Sequence, residues 1–384
     1  MLGAIIGDIV GSRFEFNPTN DYNFELFTTE CGFTDDTICT IAVADAILHH
    51  SDDYGKYIHE WCRKYPNPMG GYGGRFAQWV RNDKPEPYGS FGNGSAMRVS
   101  PVGWLCRNRE FVLQDAERSA ICTHSHPEGI KGAQTVALAI CVANVERRLH
   151  TKKSDIVKSV INECVEFSGY NIDLQLEDVI NRFDETCQGT VPVALWIIQQ
   201  STGFEDSVRR AVSLGADADT LGAIVGSIAE AIWGIPEEIK VVALSYLDNR
   251  MKDLLNKWKR SKLVKAIDIK MFTEKYIDYF LTKFDPQSSS YYNLFDSPSF
   301  PNECRNLGFE MDCGKSFIDN CGEEAWRSNN GLLQIIDKVN DIKILGSALF
   351  SKWRYFNHWS YGHATKDDKE WFLIILRRMQ ELTK

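Results

Sequence analysis

From residue 1 to about 255 the apolar positions recur at three- and four-residue intervals, and no stretch alternates apolar and polar residues as a half-buried strand would. Thr37 to His49 carries small and apolar residues at helical spacing. Gly132 to Leu149 is apolar through its first half and charged at its end, as a helix leaving a core would be. Leu221 to Trp233 is almost wholly small and apolar. Its Gly222, Gly226 and Ala229 lie three or four apart, which leaves one face smooth enough for very close helix approach, and Gly234 with Pro236 stops it. The pattern predicts an all-α fold. Two glycine-rich loops, Gly70 to Gly74 and Gly89 to Gly94, interrupt the helices where backbone either approaches a ligand or simply turns.

The pattern changes near residues 255–270, where Lys257 to Lys262 concentrate basic charge. We therefore expect two domains, a compact multi-helix domain over 1–258 and a smaller, mainly helical one over 270–384. The second region is more aromatic, with a Pro/Ser-rich stretch from Asp285 to Pro301 and helix-like pieces at Gly331 to Asp341 and Trp371 to Leu382. Leu345 to Tyr361 interleaves Phe350, Trp353, Tyr355, Phe356, Trp359 and Tyr361 with Lys352, Arg354 and His358. That mixture suits base stacking. Phe350, Trp353 and Phe356 also lie at core-stripe spacing, and the core reading is favoured.

Charge divides the chain the same way. Residues 1–255 hold 23 Lys/Arg and 35 Asp/Glu, the remainder 20 and 17, within an overall −9. The acidic part disfavours non-specific nucleic-acid binding and suits divalent cations, whereas the basic tail leaves an anionic partner open. The 11 cysteines include no CxxC pair and are expected to be reduced core thiols. No apolar run reaches membrane-spanning length, and Asp8 arrives too early for a signal peptide, so a cytoplasmic protein without a membrane partner is expected.

Acids stand where a structural role accounts for them poorly. Phe33-Thr34-Asp35-Asp36-Thr37 precedes an apolar helix, although one N-cap would suffice. Gly215-Ala216-Asp217-Ala218-Asp219-Thr220 opens the smooth helix, and acids two apart converge only from a loop or cap region. Gly7-Asp8 followed by Glu15 is the third. Four carboxylates in two acidic-Thr clusters match the charge of two divalent cations. All-oxygen donors select Mg²⁺ or Mn²⁺ over zinc.

These blocks, together with Phe91 to Pro101 and Thr123 to Gln134, stand in the order found in the ADP-ribosylglycohydrolases, which the sequence resembles over most of residues 1–255. The resemblance implies a two-metal hydrolase that releases ADP-ribose from an ADP-ribosylated protein or small molecule by cleavage at C1″, with ADP-ribosyl-arginine favoured. It implies metal ligation by Thr34, Asp35, Asp36, Asp217, Asp219 and Thr220, with Glu15 as general acid/base and Asp36 its competitor. It also implies that Gly92, Asn93, Gly94, Ser95, Met97 and His124 line the ADP-ribose cleft, the glycine loop holding the diphosphate. Two other readings remain at this stage: a non-catalytic ADP-ribose-binding module, and a hydrolase acting on ADP-ribosylated nucleic acid through the C-terminal region.

Overall fold

The computed structural model describes residues 1–105, 109–148, 152–282, 284, 299–309, 312, 314–358 and 365–383. Among them the regular elements are all helical, and the one isolated bridge joins Gly92 to Thr186. The fold is all-α, as the periodicity predicts. The three helices read from sequence span Asp35–Leu48, Pro127–Arg148 and Ala218–Trp233. Each begins upstream of its first apolar residue, because the first turn is made of the acids or proline that a helix N-terminus favours.

The chain divides into two compact units, Met1–Trp258 and Lys259–Lys384. The division falls inside one helix, Asn249–Thr282. Lys and Arg are good helix formers, so the basic run that looked like a linker continues the helix instead.

In the first unit the Ala218–Trp233 helix is buried except at Glu230 and Trp233. It can be apolar all round because protein surrounds it. The Leu2–Gly11 helix crosses it through matched bare positions. A Cβ placed on Gly3, Gly7 or Gly11 would overlap the carbonyl of Gly226, Gly222 or Ala218 respectively. Side-chain-free contact of this kind brings Asp8 to the start of the Ala218–Trp233 helix. Around the crossing, Ile5, Ile9, Ile38, Ile41, Ile224 and Ile228 are wholly excluded from solvent.

The second unit has its own core, with Phe280, Phe300, Phe317, Phe350, Trp371 and Phe372 nearly inaccessible. Phe350 and Trp353 pack within it, their rings 6.1 Å apart. Lys352 is buried too. Its Nζ donates to Trp326 O at 2.6 Å and lies over the rings of Trp326 and Trp371. Phe350 and Lys352 therefore serve the core, and the partly buried Trp353 packs against it. The side chains of Tyr355, Phe356 and His358, together with Trp359, Tyr361 and most of the Pro/Ser-rich stretch, lie outside the described residues. The piece read at Gly331 to Asp341 is a helix, Asn329–Ile335, followed by a 3₁₀ turn, and the last helix spans Lys366–Glu381.

The expectation of thiols throughout needs one correction. Cys31, Cys39, Cys62, Cys122, Cys164, Cys187, Cys304 and Cys321 are in no disulfide, but Cys141 is disulfide-bonded. Pairing follows spatial approach of the two Cα atoms, which spacing along the chain does not encode. No helix among the described residues is long and apolar enough to cross a membrane.

Candidate metal centre

Two helix N-termini meet at the acidic clusters. Thr34 caps the Asp35–Leu48 helix, its hydroxyl accepting from Asp36 N at 3.2 Å. Asp217 sits at the N-cap of the Ala218–Trp233 helix, reached through a turn at Gly215 whose φ of +70° suits glycine. The partial positive charge of both helix ends favours carboxylates in the first turn. Thr220 Oγ1 donates to Asp36 Oδ2 at 3.2 Å and so ties together two motifs 184 positions apart.

Asp8 joins them. One oxygen from each of Asp8, Asp36 and Asp219 lies within 4.8 Å of the others, a grouping able to hold a metal ion. Asp8 is itself strongly committed: Oδ2 accepts from Thr34 N at 3.0 Å and Thr37 N at 3.1 Å, and Oδ1 from Thr34 Oγ1 at 2.8 Å. It thus fixes the second helix start while adding negative charge. Asp36 Oδ1 and Asp219 Oδ1 are buried and accept no hydrogen bond. No cationic side chain pairs with Asp8, Glu15, Asp35, Asp36, Asp217 or Asp219 among the described ion pairs. Buried carboxylate oxygens left without donors carry a desolvation cost that a cation would offset.

The electrostatics follow. Burial, and next the charge of Asp219, push Asp8 up to about 7. Burial, then Asp219 and Asp8, push the half-buried Glu15 up to about 8. Burial and then Asp219 also raise Asp35, Asp36 and Asp217, and burial raises Asp219 itself.

The remaining expected residues are close by, but several are spent on the fold. Asn93 Nδ2 donates to Asp217 Oδ2 at 2.7 Å and Thr190 Oγ1 at 3.1 Å, so its amide orients an acid. Ser95 is fully buried and donates to Gly129 O at 2.7 Å. Met97 lies beneath Thr220, Sδ to Oγ1 at 4.0 Å. The buried ring of His124 pairs Nδ1 with Thr123 Oγ1 at 2.7 Å. Burial, then the nearby charge of Arg98, hold its pKa well below the usual value, so the ring is neutral. Its Nε2 lies 3.2 Å from where a Gly94 Cβ would stand, so this loop is glycine-rich partly to seat the histidine. Among the described residues Arg98 pairs with no acid, and it donates to Ser119 O and Thr123 Oγ1. Gly92 and Gly94 remain partly open.

Two cavities stand out among the described residues, of which the first reaches the centre at Asp217 and the second is lined by none of its acids. One of about 370 Å³ is bounded by Asp217, Thr190, Arg182 and Tyr170. The other, about 440 Å³, lies among Phe33, Tyr65, Met69 and Tyr246.

The raised acids fix the sign of a pH effect. A carboxyl with a raised folded pKa contributes stability below its unfolded value of about 4, and that contribution is lost as pH climbs through the folded value. For Asp8 and Glu15 the loss runs from about 4 to about 7 and about 8. The Tm gained on adding Mn²⁺ to chelator-stripped protein is thus expected to grow steadily over that range in a thermal-shift titration. A gain that stays flat with pH would contradict the electrostatic account.

Residues 1–268 match the ADP-ribosylglycohydrolase family profile. The ADP-ribosylarginine hydrolase Tri1 of Pseudomonas putida (strain GB-1) is 26% identical over 295 residues, which cover 64% of this chain and 73% of that protein. The ADP-ribosylhydrolase ARH3 of Danio rerio is 25% identical over 304 residues, 61% of this chain and 82% of that one. The matched span contains every acid of the centre, and the chain belongs to the ADP-ribosylglycohydrolase family.

Proposed function

We propose that this protein is a divalent-cation-dependent hydrolase that removes ADP-ribose from ADP-ribosylated substrates, with ADP-ribosyl-arginine foremost and its catalytic domain in residues 1–258. One observation carries the reading: Asp36 Oδ1 and Asp219 Oδ1, from motifs far apart in sequence, are both buried without a donor beside a third acid, Asp8. An all-oxygen set of this kind fits Mg²⁺ or Mn²⁺. Asp35, Asp36, Asp217 and Asp219, with the Thr34 and Thr220 hydroxyls, would hold two such ions. Bound there, the cations supply charge neutralisation and Lewis acidity at the distal ribose.

The chain's own groups divide the remaining work. Asn93 keeps Asp217 oriented, and Asp8 keeps Thr34 and the second helix start in place. Glu15 is the acid/base in this scheme, rather than Asp36. It is half-buried, not enclosed, and in the metal-free protein burial together with its acidic neighbours raises its carboxyl to about 8, which favours a bound proton. It can hand that proton to the group leaving C1″ or take one from water. Gly92 and Gly94 supply backbone that a diphosphate can approach. The preference for arginine rests on the name of the Pseudomonas relative. It is also supported by the anionic mouth, where Glu185 lies within electrostatic range of Glu15, a setting suited to a guanidinium.

The test is incubation with ADP-ribosyl-arginine and ADP-ribosyl-serine peptides in Mg²⁺, Mn²⁺ or chelator. Free ADP-ribose from the arginine peptide, dependent on the cation, is the expected result. Tight calorimetric binding of ADP-ribose with no release from either peptide would make the protein a binding module instead.

A further inference from the structure

We infer that the bare Cα of Gly70 is the seat that positions the Glu15 carboxyl, so that Gly70 is a positioning residue for the reaction proposed above. Glu15 follows a short 3₁₀ turn, Ser12–Phe14, and its carboxyl makes no hydrogen bond or ion pair among the described residues. For a group that must present a proton at one place this is a loose attachment. Something other than hydrogen bonding has to fix it. The contact on the page is steric: a Cβ built on Gly70 would overlap Glu15 Oε2, with Cδ at 3.2 Å and Oε1 at 3.4 Å. The whole carboxyl therefore rests against the one face of Gly70 where any other residue would carry a side chain.

The loop cannot simply step back. The Tyr72 hydroxyl donates to Tyr65 O at 2.7 Å and Cys62 O at 3.2 Å, and Gly71 N donates to Pro68 O at 3.1 Å. With Tyr72 anchored just beyond it and the turn closed across Gly70 by the Pro68–Gly71 bond, the backbone holds its place, and an added methyl is accommodated by swinging out the far end of a flexible glutamate. Gly70 also has φ of +77°, so substitution there adds backbone strain as well. Gly71 separates the two effects. Its φ is +86°, and nothing lies within 4 Å of its Cβ position. Gly71→Ala thus carries the strain of Gly70→Ala without the collision.

The experiment compares Gly70→Ala and Gly71→Ala in the full-length, Mn²⁺-loaded protein, by kinetics on ADP-ribosyl-arginine, Mn²⁺ calorimetry and crystal structures of both. We expect Gly70→Ala to lower kcat by about 100-fold with KM nearly unchanged, since displacement of a reacting group by about 1 Å costs that much. Mn²⁺ affinity should hold, because the aspartates are untouched. Gly71→Ala should stay within a few-fold of wild type. Equal losses in both variants, or full activity in Gly70→Ala, would overturn the inference. Should the wild type release no ADP-ribose, the proposed function fails while the seat is still judged from the structures. A Glu15 carboxyl displaced in Gly70→Ala and not in Gly71→Ala supports it, and an unmoved one refutes it. If Gly70→Ala folds poorly, the same substitution in a Glu15→Ala background should cost no more stability than Gly71→Ala does. A larger cost there would mean the collision is with something other than Glu15.

Discussion

Asp219→Ala is expected to lower ADP-ribose release by about 1000-fold or more, the scale lost when a preorganised electrostatic group is removed from an active site. Of all the acids, Asp219 couples most widely. After burial, its charge is the largest cause raising Asp8, Glu15, Asp35, Asp36 and Asp217. Its Oδ1 is, with Asp36 Oδ1, one of the two buried carboxylate oxygens without a donor among the described residues. Deleting the side chain removes a proposed cation ligand and an unsatisfied acceptor together, so activity and stability should move in opposite directions. In chelator above about pH 7, the variant's Tm should equal or exceed that of wild type, because the neighbouring carboxyls lose a repelling charge. In Mn²⁺ the order should reverse, since the variant forfeits the stabilisation that a bound ligand confers. Kinetics with ADP-ribosyl-arginine and paired melts with and without Mn²⁺ read both halves. Retained turnover would remove the metal centre from the reaction. A large Tm loss in chelator would show that Asp219 serves the fold first.

How far the sequence carries depends on what each feature requires physically. The two acidic-Thr clusters were legible because repeated acids at helix starts exceed the needs of capping. Asp8 stands out in the sequence beside Glu15, but nothing there joins it to the two clusters, since a single acid in an apolar segment reads as an isolated exception. The signal was present all the same: an aspartate at the centre of LGAIIGDIVG has to be buried, and a buried acid needs donors or a cation. The glycine-rich stretch up to Gly94 signals a backbone that approaches a ligand or turns, and the spacing does not name the neighbour that the folded loop meets at Gly94, the His124 ring. Side-chain direction explains Asn93, Ser95 and Met97. The family resemblance implies that they line a cleft, whereas in the folded backbone they turn toward Asp217, Gly129 and Thr220. The Gly70–Glu15 contact left no sequence trace, because it joins a loop and a turn through the absence of an atom.

Gly7→Ala is expected to be among the most destabilising single-methyl additions in the first unit, costing about 3 kcal/mol, the upper end of ordinary overpacking. The added Cβ would overlap the Gly222 carbonyl and stand 2.8 Å from Ala223 N, so both obstacles are backbone, with no side chain free to rotate away. Nor can one helix slide past the other. Gly3 against Gly226 and Gly11 against Ala218 repeat the same contact on either side, and Gly3 N is held by Glu230 Oε2 at 2.8 Å. The helices must part, and parting them separates Asp8 on one from Asp219 on the other. The fold penalty should therefore appear together with weakened Mn²⁺ binding, although Gly7 is no ligand. Gly203→Ala is the control, since its Cβ position is empty and its φ of −173° is open to any residue. Thermal melts should show Gly7→Ala several degrees below Gly203→Ala, at about 2–4 °C per kcal/mol for a domain of this size. Equal melting temperatures would mean that the crossing yields without cost, and that the small-residue face seen in the sequence is not what brings the acids together.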